Sequence, residues 1–127
     1  MAEMSNYLEN AIINATLRNT TYTSPTTCFV ALYTTDPTDA DTGTEVSGGS
    51  YERTAVTFGA PSNGVSTNGA VTFPTCTSTW GTITHIGLRD AASSGNLLFY
   101  TPLDASKTIA TGDVFTVSTG NLSVTLE

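Results

Sequence analysis

At 127 residues, 39% of them hydrophobic and only 12% charged, the chain fits one domain over residues 1–127. It is long enough to bury a core without a disulfide or metal staple. The formal net charge is −7 and the only cations, Arg18, Arg53, Arg89 and Lys107, lie far apart in sequence, so there is no clustered basic footprint for nucleic acid or for an anionic membrane.

Met1-Ala2-Glu3-Met4-Ser5 lacks the basic region and apolar core of a secretory leader. No apolar run approaches the ~18 residues needed to cross a bilayer. A soluble product of a cytoplasm is expected. Residues 6–18 are the one good helix candidate: Ser5 or Asn6 can cap it, and Asn6 with Glu9 has capping-box spacing. Leu8, Ala11, Ile12 and Ala15 fall on or near one stripe, with Ile13 and Leu17 beside it. Arg18 sits in the last turn, where a cation suits the helix dipole. So short a helix is marginal alone and is expected to dock, on its own sheet or on a neighbouring subunit.

Residues 27–34 form a nearly continuous apolar run, which predicts a buried central strand. Residues 35–50 then make a long polar loop; a loop of this length in a small domain is usually functional or mobile. Residues 51–58 alternate, with Glu52, Thr54, Val56 and Phe58 on one face. Residues 59–69 read as a turn-rich connector carrying Asn63-Gly64 and Asn68-Gly69, and 70–73 as a short strand ended by Pro74. Residues 80–89 and 97–101 predict a hairpin around the 90–96 turn, and 107–110, 114–118 and 122–126 complete the strands. Short strands at this spacing predict an all-β fold: an antiparallel β-sandwich, jelly-roll-like, with one short N-terminal helix. Thr, about a fifth of the chain, is β-branched and suits pleated strands. It also leaves a polar, uncharged surface that is cheap to desolvate against a partner.

Few groups suit chemistry. His85, the one histidine, has no nucleophile elbow in the sequence, and the H-E-x-x-H zinc pattern is missing. It reads as a strand residue. Asp36, Asp39, Asp41 and Glu45 form the one acidic cluster; Asp39 and Asp41 begin like a calcium loop, but Gly43 and Thr44 break the pattern. A solvated acidic loop is expected. Asp90, Asp104 and Asp113 sit in predicted turns. Gly48-Gly49-Ser50 lacks the lysine and following helix of a phosphate loop. Cys28 and Cys76 match no zinc or C-x-x-C spacing and are expected to be reduced, mostly buried thiols; whether they meet is left open. Most aromatics are core candidates. No catalytic, cofactor-binding or metal-ligating residue is expected, and the reading is a binding or assembly module, not an enzyme.

Several segments in order resemble a known family. They include Asn6-Tyr7-Leu8-Glu9-Asn10, Phe29-Val30-Ala31-Leu32-Tyr33-Thr34-Thr35-Asp36-Pro37, Gly43-Thr44-Glu45-Val46-Ser47-Gly48-Gly49-Ser50-Tyr51-Glu52-Arg53, Trp80-Gly81-Thr82-Ile83-Thr84-His85-Ile86-Gly87-Leu88-Arg89-Asp90 and Gly120-Asn121-Leu122-Ser123-Val124-Thr125-Leu126. Over nearly its whole length the chain resembles small structural proteins of tailed bacteriophages, often labelled tail-fibre proteins, some of which are similar to capsid cement (decoration) proteins. The resemblance implies a β-sandwich or jelly-roll module without a catalytic site, found as trimers or sometimes dimers. The expected function is therefore a cement protein on the outer capsid surface of the virion, bridging subunits of the phage major capsid protein. The alternative is a tail-fibre or baseplate module that recognises a host surface. The helix and the 35–50 loop are the expected contact surfaces, with Tyr7, Leu8, Ile12, Asp36, Asp39, Asp41 and Glu45 as candidate interface residues. No nucleic acid, membrane or cofactor is expected as a partner.

Overall fold

A computed structural model describes residues 2–126. Among these residues the elements run β1 (Glu3–Met4), α1 (Asn6–Leu17), β2 (Cys28–Tyr33), β3 (Thr54–Val56), β4 (Val65–Thr67), β5 (Val71–Thr72), β6 (Gly81–Arg89), β7 (Leu97–Ile109), β8 (Thr116–Val117) and β9 (Ser123–Thr125). Five of the strands form a sheet in the order β1-β7-β6-β2-β3, with every neighbouring pair antiparallel. The other four form two antiparallel ribbons, β4-β9 and β5-β8.

The apolar run at β2 takes the place its composition predicts. Val30, Ala31, Leu32 and Tyr33 are all buried, so both faces of this strand are covered. On one face Val30 and Leu32 join Ile86 and Leu88 of β6. They pack against Phe73, Trp80, Phe115 and Val117 from the ribbon side, which makes the main core of a two-layer β-sandwich. Tyr51, Phe73, Trp80 and Phe115 meet there; Phe73 is edge-on to both Trp80 and Phe115. On the other face Ala31, Tyr33, Leu97 and Tyr100 form a second, smaller cluster. Gly87 makes room for it: a Cβ there would lie 2.7 Å from the Tyr33 ring and 2.9 Å from a Leu97 methyl.

The predicted hairpin of β6 and β7 is present, with Leu88 opposite Phe99 and Gly87 opposite Tyr100. The strands expected at 97–101 and 107–110 are one strand. Register passes from His85↔Pro102 to Ile83↔Lys107, so β7 takes up the extra residues as a bulge and continues. Asp104 therefore lies in this strand and not in a turn. Asp90 and Asp113 do serve turns, accepting from the backbone N–H of Asn96 at 2.7 Å and of Ala110 at 2.9 Å.

Three further differences have local causes. The 51–58 strand shortens to β3, because Gly48, Gly49 and Ser50 enter it through a tight turn with positive φ at all three positions. The connector at 59–69 contains β4, whose partner β9 is too distant in sequence to be signalled locally. At the start, β1 pairs Glu3 with Tyr100 and Met4 with Phe99, and two residues are too few to show a period. Ser5, not Asn6, caps α1: its hydroxyl accepts from the Leu8 N–H at 3.2 Å. Arg18 is the C-cap residue, just beyond the helix.

Candidate functional site

Two surfaces stand out: the 35–50 loop and the exposed side of α1. Hydroxyl and carboxylate bonds within the loop set its course. Asp36 accepts from the Thr38 N–H at 2.9 Å, the Thr38 and Thr42 hydroxyls bond at 2.8 Å, and Thr42 N–H donates to Pro37 O at 2.6 Å. Thr38 and Asp41 both hold positive φ, 58° and 57°. That conformation is costly for a β-branched residue and persists only where its surroundings fix it.

Those surroundings are the sheet face carrying Tyr33, His85, Arg89 and Tyr100. Each carboxylate of the loop finds a partner on the folded body. Asp36 lies 3.8 Å from His85 Nε2, whose Nδ1 is 2.8 Å from the Thr84 hydroxyl. The Tyr100 hydroxyl donates to Glu3 Oε2 at 2.9 Å and also meets Asp39, so it joins β1 to the loop. Asp41 receives two bonds of 2.8 Å from the Arg89 guanidinium. Arg89 is 6% exposed; it donates besides to Tyr33 Oη and Gly95 O, while its buried Nε has no hydrogen-bond partner among the described residues. Glu45 accepts from Arg53 Nε at 2.9 Å, Arg53 Nη2 at 2.8 Å and the Tyr51 hydroxyl at 2.7 Å. The Tyr51 oxygen in turn accepts from the Leu32 N–H at 3.0 Å. Arg53 also holds the 90–96 turn through Ala91 O and Ser94 O.

The expected solvated acidic loop is thus a stapled one. Asp41 and Glu45 are taken up by bidentate arginine pairs, the strong geometry for a carboxylate. Asp36, beside the His85 imidazole, is more open than Asp41 or Glu45, with its side chain 57% exposed. Burial alone would raise the Glu45 carboxyl, but the bonds from Arg53 and Tyr51 outweigh it and hold the group below the usual carboxylate range. Burial alone would lower the Arg89 guanidinium, and the bonds to Asp41 and Tyr33 reverse that. Burial and then the bond to Glu45 push the Tyr51 phenol far above its ordinary value. Among the described residues no group of three or more His, Cys, Asp or Glu could hold a metal ion. Cys28 and Cys76 are both free thiols; Cys76 is fully buried and Cys28 half-buried.

The helix has the opposite character. Leu8, a candidate interface residue, is buried in its own fold and is the only fully buried side chain of α1. Ile12 is half-buried. Tyr7, Ile13 and Leu17 are exposed at 42%, 51% and 79%. A shallow groove of about 460 Å³ runs between the helix and the segment that follows it, lined by Tyr7, Asn10, Asn14, Thr20 and Tyr22. The first turn is tied down by Ser5 N–H to Leu98 O and Asn6 N–H to Asp39 O, both 2.9 Å, and by the Ser5 hydroxyl to Leu97 O. Of the sequence-level candidates, the fold therefore brings Asp39 to the start of α1 and leaves Tyr7 open. Arg53, Arg89, Tyr51 and Tyr100, which organise the loop, carry no sequence signal of that role beyond being two of four cations and two strand aromatics.

No curated protein matches the chain. One family does, over residues 3–125: the podophage GP4 fiber I protein gp80 family.

Proposed function

The chain belongs to that family of phage fiber proteins, and on this premise we propose that it is a subunit of the tail-fibre apparatus of a short-tailed phage, acting by assembly and not by catalysis. It is a phage structural protein associated with the virion. The observation that carries the finer reading is the contrast within the molecule. Asp41 and Glu45 of the acidic loop are bonded to Arg89 and Arg53, while Tyr7, Ile13 and Leu17 present apolar surface to solvent. Large apolar side chains left open along a helix mark a contact surface more often than a catalytic one. In this reading α1 faces another virion subunit, and the chain forms a homo-oligomer, a trimer or a dimer.

One observation favours a second reading, capsid decoration. Among the described residues there is one β-sandwich and one twelve-residue helix, and no heptad run or strand repeat that would build a shaft. In that case the protein binds the outer head surface and bridges major capsid protein subunits. Copy number per virion separates the two, measured by gel densitometry against the major capsid protein. A few dozen copies or fewer support the tail-fibre placement. Hundreds, in simple ratio to the capsid protein, overturn it in favour of decoration. Absence from purified virions would sink both.

A further inference from the structure

The N-terminal arm, residues 2–17, meets the body through a small and well-defined seat. Strand β1 lies on the outer edge of β7, Ser5 bonds to Leu97 and Leu98, Asn6 bonds to Asp39, and Glu3 reaches Tyr100. Ala2 and Leu8 are the arm's buried apolar side chains. Beyond the arm, residues 18–27 contain no helix or strand. Their only backbone bonds are from Arg18 and Thr20, both back to Asn14 in the helix, so none ties this segment to the sheet. Ten residues in this state span up to about 33 Å.

We infer that this arm is exchanged between copies of the chain, so that β1 and the first turn of α1 of one subunit occupy the β7 seat of the next. The inference rests on the assembly reading above and names its partner as a second copy. The complementarity is already built, because seat and occupant are both in this sequence. Every contact between the arm and the β7 seat is kept when the arm comes from a neighbour, and the path of residues 18–27 is what changes. Exchange of an identical element is a low-cost route to an oligomer for that reason.

Met4 and Phe99 are directly opposed between the Ser5–Leu98 and Glu3–Tyr100 pairs. A non-hydrogen-bonded antiparallel pair of this kind has the separation a disulfide needs. Two full-length variants with different tags, Met4→Cys and Phe99→Cys, are co-expressed and oxidised. The double variant in a single chain is oxidised alongside, and the unsubstituted protein controls for Cys28 and Cys76. Exchange predicts a disulfide-linked product carrying both tags, and covalent oligomers from the double variant on a non-reducing gel. A bond closed within single chains of the double variant, with no mixed product, overturns the inference. No bond in either sample overturns it too, since the seat itself would then be absent. Failure of the virion reading is seen elsewhere, as absence of the protein from purified particles, and leaves the cross-linking result unchanged.

Discussion

The 35–50 loop and helix α1 invert what their sequences suggest. The loop is polar and acidic, yet Asp41 and Glu45 are locked into bidentate pairs with Arg89 and Arg53. The helix has an apolar stripe, yet beyond Leu8 most of its large apolar side chains reach solvent. The difference shows that charge does not by itself mark a contact surface. A carboxylate beside a buried guanidinium is a structural element, whereas Leu17 is apolar surface left to solvent.

The largest effect is expected at Arg89. Arg89→Ala leaves Asp41 and the buried Tyr33 hydroxyl without their donor and should cost about 3 kcal/mol, within the range for breaking a buried ion pair. Urea unfolding reads it as a fall in midpoint at constant slope; an unchanged midpoint would show that the loop is not stapled. Tyr51→Phe comes next. It strands the buried Leu32 N–H and removes one donor to Glu45, at about 2 kcal/mol.

Acid probes the same side of the comparison. The Glu45 carboxyl is held below its ordinary value of 4.5. A depressed folded value means its stabilising contribution is complete above that value and is lost as pH falls through the folded one. Stability should therefore decline below about pH 4.5, and Arg53→Met should flatten that decline while lowering stability at pH 7. Equal slopes in the two proteins would remove Glu45 from the account.

The smallest effect on folding is expected on the helix. Leu17→Ser at a 79% exposed site should change stability by less than about 0.5 kcal/mol. Light scattering and virion incorporation should nonetheless reveal weakened assembly. A variant that assembles normally would mean that the open face of α1 is not a contact surface.

The extent to which the sequence anticipated the structure follows from how local each signal is. The apolar run of β2, the β6–β7 hairpin, the helix near 6–18 and the Asp90 and Asp113 turns are written in neighbouring residues, where periodicity and turn chemistry act, and all were legible. β1, β4 and the continuous course of β7 depend on partners far along the chain, and short pairings leave no period to read. The candidate site divides in the same way. Tyr7 and Ile12 could be placed on a helix from spacing alone, and Asp36, Asp39, Asp41 and Glu45 could be seen as one cluster. Only tertiary structure could bring Arg89 to Asp41, 48 residues away, or Tyr100 to Asp39, 61 away. Composition and alternation determine that this chain makes an antiparallel β-sandwich, because burying apolar faces is a sum over many positions. Which polar groups end up bonded and which apolar ones stay bare depends on individual long-range contacts, and only the closed fold decides them.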